Sequence, residues 1–184
     1  MIFGDVAIRE IIAEGYVTGF HESMINPASL NIRLGNTFLK PCAGQTVMLG
    51  DEVKYDRFKV GPNEIDPFFV IRPGEFVLGT TMERLNLPDR ISAFVQGRSS
   101  IGRIGLTIQN AGFVDPGFDG HITLELINDA PFPIYLTPGY PVGQVVFMDT
   151  SEVQRPYNGK YQGQVEATGS MMEKDRLKYR LLSI

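Results

Sequence analysis

The chain is 184 residues long, with 43% hydrophobic and 21% charged residues, the make-up of one folded domain with a sizeable core rather than of a disordered chain. Seventeen Lys and Arg against 21 Asp and Glu leave a formal charge of −4, which argues against a general nucleic-acid binder but leaves room for a small phosphorylated ligand in a local pocket of donors. A single cysteine, Cys42, excludes an intrachain disulfide and reads as a bystander, and two histidines with neither HExxH nor CxxC argue against a zinc enzyme.

The start of the chain lacks a basic leader and no apolar run approaches spanning length, so a cytoplasmic chain without a membrane partner is expected. A helix is predicted over 6–14, capped by Asp5 and stopped by Gly15, with Ile8, Ile11 and Ile12 on one face. From there a two-residue period takes over. Leu30, Ile32 and Leu34 point one way, and further strands are predicted over 68–71, 75–78, 91–95, 121–127, 133–136 and 142–148. Pro-Gly turns at 73–74, 116–117 and 138–139 separate them. Short strands with frequent turns favour a barrel or jelly roll over alternating α/β. The stretch 155–184 is polar and lacks a core pattern.

Three segments carry unusual residues. In 96–105 a strand runs into three glycines, Ser99, Ser100, Arg98 and Arg103. Either serine could cap a short helix, whose free N–H groups beside hydroxyls and guanidinium groups suit an anion; a capped turn with solvated arginines is the plainer alternative. In 110–128 a Gly-rich turn with Asp115 at its apex leads into a strand on which Thr123 and Glu125 share the face opposite Ile122, Leu124 and Leu126. If that face is enclosed, burial raises the Glu125 pKa and makes it a proton carrier near neutrality; otherwise it is a strand glutamate meeting water. His121 reads as a strand-edge residue. In the third segment Gln144 interrupts an apolar run, so it either binds something or pairs in the core, and Tyr157, Lys160 and Gln164 form a polar, aromatic cluster in the tail.

Taken in order, the segments 26–35, 97–103, 111–118, 120–125, 138–144 and 160–164 resemble the dCTP deaminase family of the dUTPase-like superfamily. The resemblance implies a mainly β, dUTPase-like distorted barrel or jelly roll with an N-terminal helix and short helical turns, over residues 1–164, with 165–184 an unassigned tail. It implies a homotrimer with sites between subunits and zinc-independent deamination of dCTP, with Mg²⁺ held by the substrate phosphates. Residue by residue, Glu125 matches the catalytic glutamate, and Ser99 and the Ala111 carbonyl match the groups that hold the attacking water. Arg98, Ser100 and Arg103 match triphosphate contacts, and Asp115 matches the residue meeting the sugar. Thr123 and Leu124 match backbone contacts to the base, and Gln144, Tyr157, Lys160 and Gln164 match ligands of the triphosphate end.

Ala111-Gly112-Phe113 resembles the members that also cleave the triphosphate to give dUMP and pyrophosphate, with Asp115 activating water and Phe113 packing beneath the turn. The alternatives are a deaminase that stops at dUTP, a plain dUTPase and a dUTPase-like regulatory nucleotide binder. The sequence departs from the family at Asn31, where Asp is usual, at 108–110, which replaces a His-containing segment, and after Gln164.

Overall fold

The computed structural model describes residues 1–109 and 112–175. Helix α1 covers Asp5–Ala13 and buries Ile8 and Ile11. Asp5 is not its cap: Gly4 occupies that position, and Asp5 is the first helical residue, where its charge meets the positive end of the helix dipole. The helix ends as expected, with the Gly15 amide closing on Ile12 O at 2.9 Å.

Among the described residues twelve strands follow: β1 Val17–Thr18, β2 Ile25–Asn26, β3 Ser29–Pro41, β4 Tyr55–Lys59, β5 Phe69–Ile71, β6 Phe76–Asn86, β7 Ile91–Gly97, β8 Leu106–Gln109, β9 Phe113–Val114, β10 Asp119–Asn128, β11 Ile134–Leu136 and β12 Pro141–Asp149. A four-residue helix, α2, Ser99–Gly102, joins β7 to β8. Neighbours in the main sheet run β8-β10-β6-β3-β12-β7-β9, all antiparallel, with β1 on β6 and β2 and β4 on β3; β5 and β11 form a separate pair.

Strand β3 makes the sheet curl. Its first residues, Leu30 to Arg33, pair with β12; beyond Leu34 its partners are β6 and β4. One long strand therefore belongs to both halves of a half-barrel whose inside is filled by Ile32, Leu34, Phe38, Leu124, Leu126, Val145 and Phe147. The rings of Phe38 and Phe69 stack there, 4.9 Å between centroids.

Strand β6 runs eight residues beyond its predicted end at Leu78. Its second half hides from a hydrophobic-alternation reading because it buries polar residues, Thr80, Thr81 and Glu83. Glu83, 1% exposed, accepts from both the amide and Nε of Arg33 at 2.7 Å, and Arg33 donates onward to Gly19 O. This buried pair ties β3 to β6 where β3 changes neighbours. Strands β1, β2, β4, β8 and β9 were not predicted; they are short, or, like β4, mostly exposed and without apolar alternation. Among the described residues no helix is long and apolar enough to cross a membrane.

Candidate active site

Along β10 every second residue enters the core, so Ile122, Leu124 and Leu126 are buried and Thr123 and Glu125 look the other way. Both line a cavity of about 460 Å³ with Tyr55, Phe76 and Leu78 among its walls. Glu125 is fixed by its backbone on two sides, opposite Leu78 of β6 and Gln109 of β8. Its side chain is half-buried, and burial pushes its carboxyl pKa above the ordinary value. The strand glutamate is therefore partly withdrawn from solvent on the cavity wall. The Leu124 side chain is wholly buried in the core, and Leu124 is not among the residues lining the cavity.

The turn before β10 forms the cavity mouth. The Gly112 carbonyl accepts from the Val95 amide at 2.8 Å, and a Cβ at this position would lie 3.0 Å from the Phe94 ring and 3.1 Å from Val95 O. A side chain here would have to push back the Phe94 ring or the β7 backbone by a few tenths of an ångström. Phe113 does not pack beneath the turn as expected. It pairs with Phe94 at the sheet edge and is 52% exposed, because Phe94 and Val95 already fill the space beneath Gly112. Asp115 is exposed on the cavity rim, and its carbonyl accepts from the Phe118 amide at 3.2 Å to close the turn. Gly117, at φ +85°, is pressed against Pro156 and the Tyr157 amide, a conformation and a clearance that exclude a side chain. Ala111 lies outside the described residues.

The unpatterned tail walls the cavity in. The Tyr157 amide donates to Pro116 O at 2.7 Å, and the Tyr157 ring lies 5.8 Å from that of Phe118. Gln164 O accepts from the His121 amide at 2.9 Å, and its Oε1 accepts from the Thr123 hydroxyl at 3.2 Å. Beyond it, backbone amides find hydroxyls on the half-barrel: Ala167 on Thr37, Thr168 on Thr123, and Ser170 on Tyr55, at 3.1, 3.1 and 3.2 Å. Lys160 sits on this strap and is paired with Asp175. Burial pulls the Lys160 pKa down, but the Asp175 hydrogen bond and the nearby Tyr161, Asp175 and Glu173 charges outweigh it, so the ammonium is favoured.

The loop after β7 stands apart. Arg98 is the N-cap of α2, its Nη1 donating to Pro141 O at 3.0 Å, while Ser99 and Ser100 occupy the first turn, and neither side chain caps it. Ser99, Ser100 and Arg103 are exposed. Gln144, half-buried on β12 between Asn31 and Gln96, accepts from the Ser29 hydroxyl at 3.4 Å, and Asn26 donates to that hydroxyl at 3.1 Å. One chain therefore brings Gly112, Phe113, Asp115, Thr123, Glu125, Tyr157 and Gln164 to a common cavity, whose lining does not include Arg98, Ser99, Ser100, Arg103 or Gln144. Tyr55, Tyr161 and Thr168 are cavity residues that the sequence reading did not single out. Tyr161, lying between Lys160 and Gln164, had a signal in its position; Tyr55 and Thr168 had none. Among the described residues no three His, Cys, Asp or Glu side chains group to hold an ion.

Residues 2–150 match the family described as dCTP deaminase-like. The chain is 42% identical over 180 residues to a dCTP deaminase, dUMP-forming, of Sulfurihydrogenibium sp. (strain YO3AOP1), covering 96% of this chain and 99% of that one. It is also 42% identical over 178 residues to a protein of the same name from Aquifex aeolicus (strain VF5), covering 95% and 97%. Among solved structures, the 2'-deoxycytidine 5'-triphosphate deaminase from Agrobacterium tumefaciens superposes with a TM-score of 0.65 at 23% identity, a likeness of fold. That match covers 81% of this chain and 48% of the Agrobacterium chain, about half its length.

Proposed function

The chain belongs to the dCTP deaminase-like family, and on that premise we propose that it converts dCTP to dUMP, ammonia and pyrophosphate. The observation that carries the reading is Glu125: a half-buried carboxylate on the wall of a nucleotide-sized cavity, its pKa raised by burial. Attack at C4 of cytosine needs a water that loses a proton as it adds and an N3 that gains one. Glu125 takes a proton from the water and delivers it to N3, then carries the proton of the new C4 hydroxyl to the amino group, so that the C4–N bond breaks, ammonia leaves and the C4 carbonyl forms. No zinc is needed, because the carboxylate itself activates the water. Ser99 and the Ala111 carbonyl orient that water.

Cleavage follows at the same nucleotide. Asp115, on the rim of the cavity, contacts the sugar and orients a second water toward the α-phosphate, whose bond to the β-phosphate breaks to release pyrophosphate. Tyr157, Lys160 and Gln164 hold the triphosphate end, which requires Lys160 to exchange Asp175 for phosphate. Mg²⁺ travels with the phosphates and offsets their charge, water completing its shell.

The active unit is a homotrimer. In a single chain the cavity of Glu125 lacks Arg98, Ser99, Ser100, Arg103 and Gln144, and a neighbouring copy supplies them. Phe94, Ile104, Phe113 and Tyr140 are exposed apolar residues available for such contacts. Two variants test the assignment. Glu125→Gln should lower ammonia release about 10²-fold or more. Asp115→Asn should lower pyrophosphate release more than ammonia release. Near-normal ammonia release by Glu125→Gln would contradict the role of Glu125.

A further inference from the structure

The roles above leave Gln162 unused, yet its carboxamide makes two hydrogen bonds where one turn runs into β10. Its Nε2 donates to Gly117 O at 2.9 Å, and its Oε1 accepts from the Asp119 amide at 3.1 Å. That turn carries Asp115. On its other side Gln162 belongs to the strap: its own amide donates to Gly159 O at 3.2 Å, and the adjacent Gly163 amide donates to Asp119 O at 2.8 Å. A side-chain amide that donates and accepts across two residues acts as an extra stretch of paired backbone. We propose that Gln162 is a positioning residue that locks the Asp115 turn to the strap bearing Tyr157, Lys160 and Gln164.

The inference rests on the roles proposed for Asp115 and the strap. Its consequence is selective. Glu125 lies outside the brace, since its strand is held between β6 and β8. Asp115 lies two residues before Gly117, in the turn that the Phe118 amide closes on the Asp115 carbonyl. Loss of the brace leaves the Tyr157–Pro116 and Gly163–Asp119 backbone bonds as the remaining ties between turn and strap, so the Asp115 turn gains freedom relative to the phosphate-holding groups, while Glu125, six residues along β10 from Asp119, stays in place. Gln162 is exposed, so its replacement removes no core packing.

The test uses the full chain with Gln162→Ala and Gln162→Glu. The glutamate keeps the acceptor for Asp119 but replaces the donor facing Gly117 O with a carboxylate oxygen, so it should not rescue. Amide exchange at Phe118 should quicken about 3- to 10-fold in both variants, and at Asp119 in Gln162→Ala, with Leu124 unchanged. From dCTP with Mg²⁺, the ratio of pyrophosphate to ammonia should fall by a similar factor of about 3 to 10, with free dUTP appearing. Unchanged exchange overturns the brace. Faster exchange with an unchanged product ratio, or equal loss of both products, overturns the link to Asp115. If the wild-type protein releases no ammonia, the proposed function fails, and the exchange measurement still decides whether the brace exists.

Discussion

In the proposed reaction Glu125 carries the proton transfers, and its partly buried position makes ionisation costly. The folded protein holds this carboxyl's proton more tightly than the unfolded chain does, since burial raises its pKa. Its contribution to stability is therefore greatest at acidic pH and declines as pH rises through the raised value, where the fold must bury a charge. Glu125→Gln has no such titration. The variant should melt above the wild-type protein at neutral pH and lose that advantage on acidification; a variant melting lower at neutral pH contradicts the burial argument. Lys160 offers a second test at this scale. Asp175 holds the ammonium that the triphosphate must take over. In a Glu125→Gln background, where turnover is blocked, Asp175→Asn should tighten dCTP binding about 2- to 5-fold, the worth of a partly exposed ion pair. Calorimetric titration showing weaker binding would rule out the exchange.

Among the elements, β3 and β6 decide the shape, and the Arg33–Glu83 pair holds them together. Glu83→Ala leaves the Arg33 guanidinium without its carboxylate in a largely enclosed place, and should cost about 3–5 kcal/mol in urea denaturation. A loss below about 0.5 kcal/mol would show that the pair is dispensable. The same strands mark how far the sequence could be read. Leu30, Ile32 and Leu34 announce β3 by alternation, and Ile122, Leu124 and Leu126 announce β10. The far half of β6 stays hidden, because buried Thr80, Thr81 and Glu83 break the apolar pattern and take partners on β10 and β3, at Ile122 and Arg33. The tail is hidden for a related reason. It docks through backbone amides onto hydroxyls of Thr37, Thr123 and Tyr55, and backbone donors leave no side-chain periodicity. Gly112 was legible as part of a Gly-rich turn, but its close approach to Phe94 and Val95 on β7 was not.

At the scale of the whole molecule, the candidate residues separate into two groups within one chain. Gly112, Phe113, Asp115, Thr123, Glu125, Tyr157 and Gln164 meet at one cavity, whereas Arg98 to Arg103, Gln144 and Lys160 are absent from its walls. Motif order along the sequence pointed to both groups but carried no information on which chain each serves. If a site joins two copies, mixing inactive Arg98→Ala and Glu125→Gln proteins and allowing subunit exchange should restore about a quarter of the wild-type rate, since one site in four pairs two intact contributions. No recovery in demonstrably mixed trimers would place the site within one chain. The central claim is that one bound nucleotide undergoes both reactions. Following ammonia, pyrophosphate and nucleotide products together from dCTP and Mg²⁺ tests it most directly. Ammonia and pyrophosphate should appear in equal amounts with dUMP as the nucleotide product; accumulation of dUTP without pyrophosphate, or no ammonia at all, would contradict it.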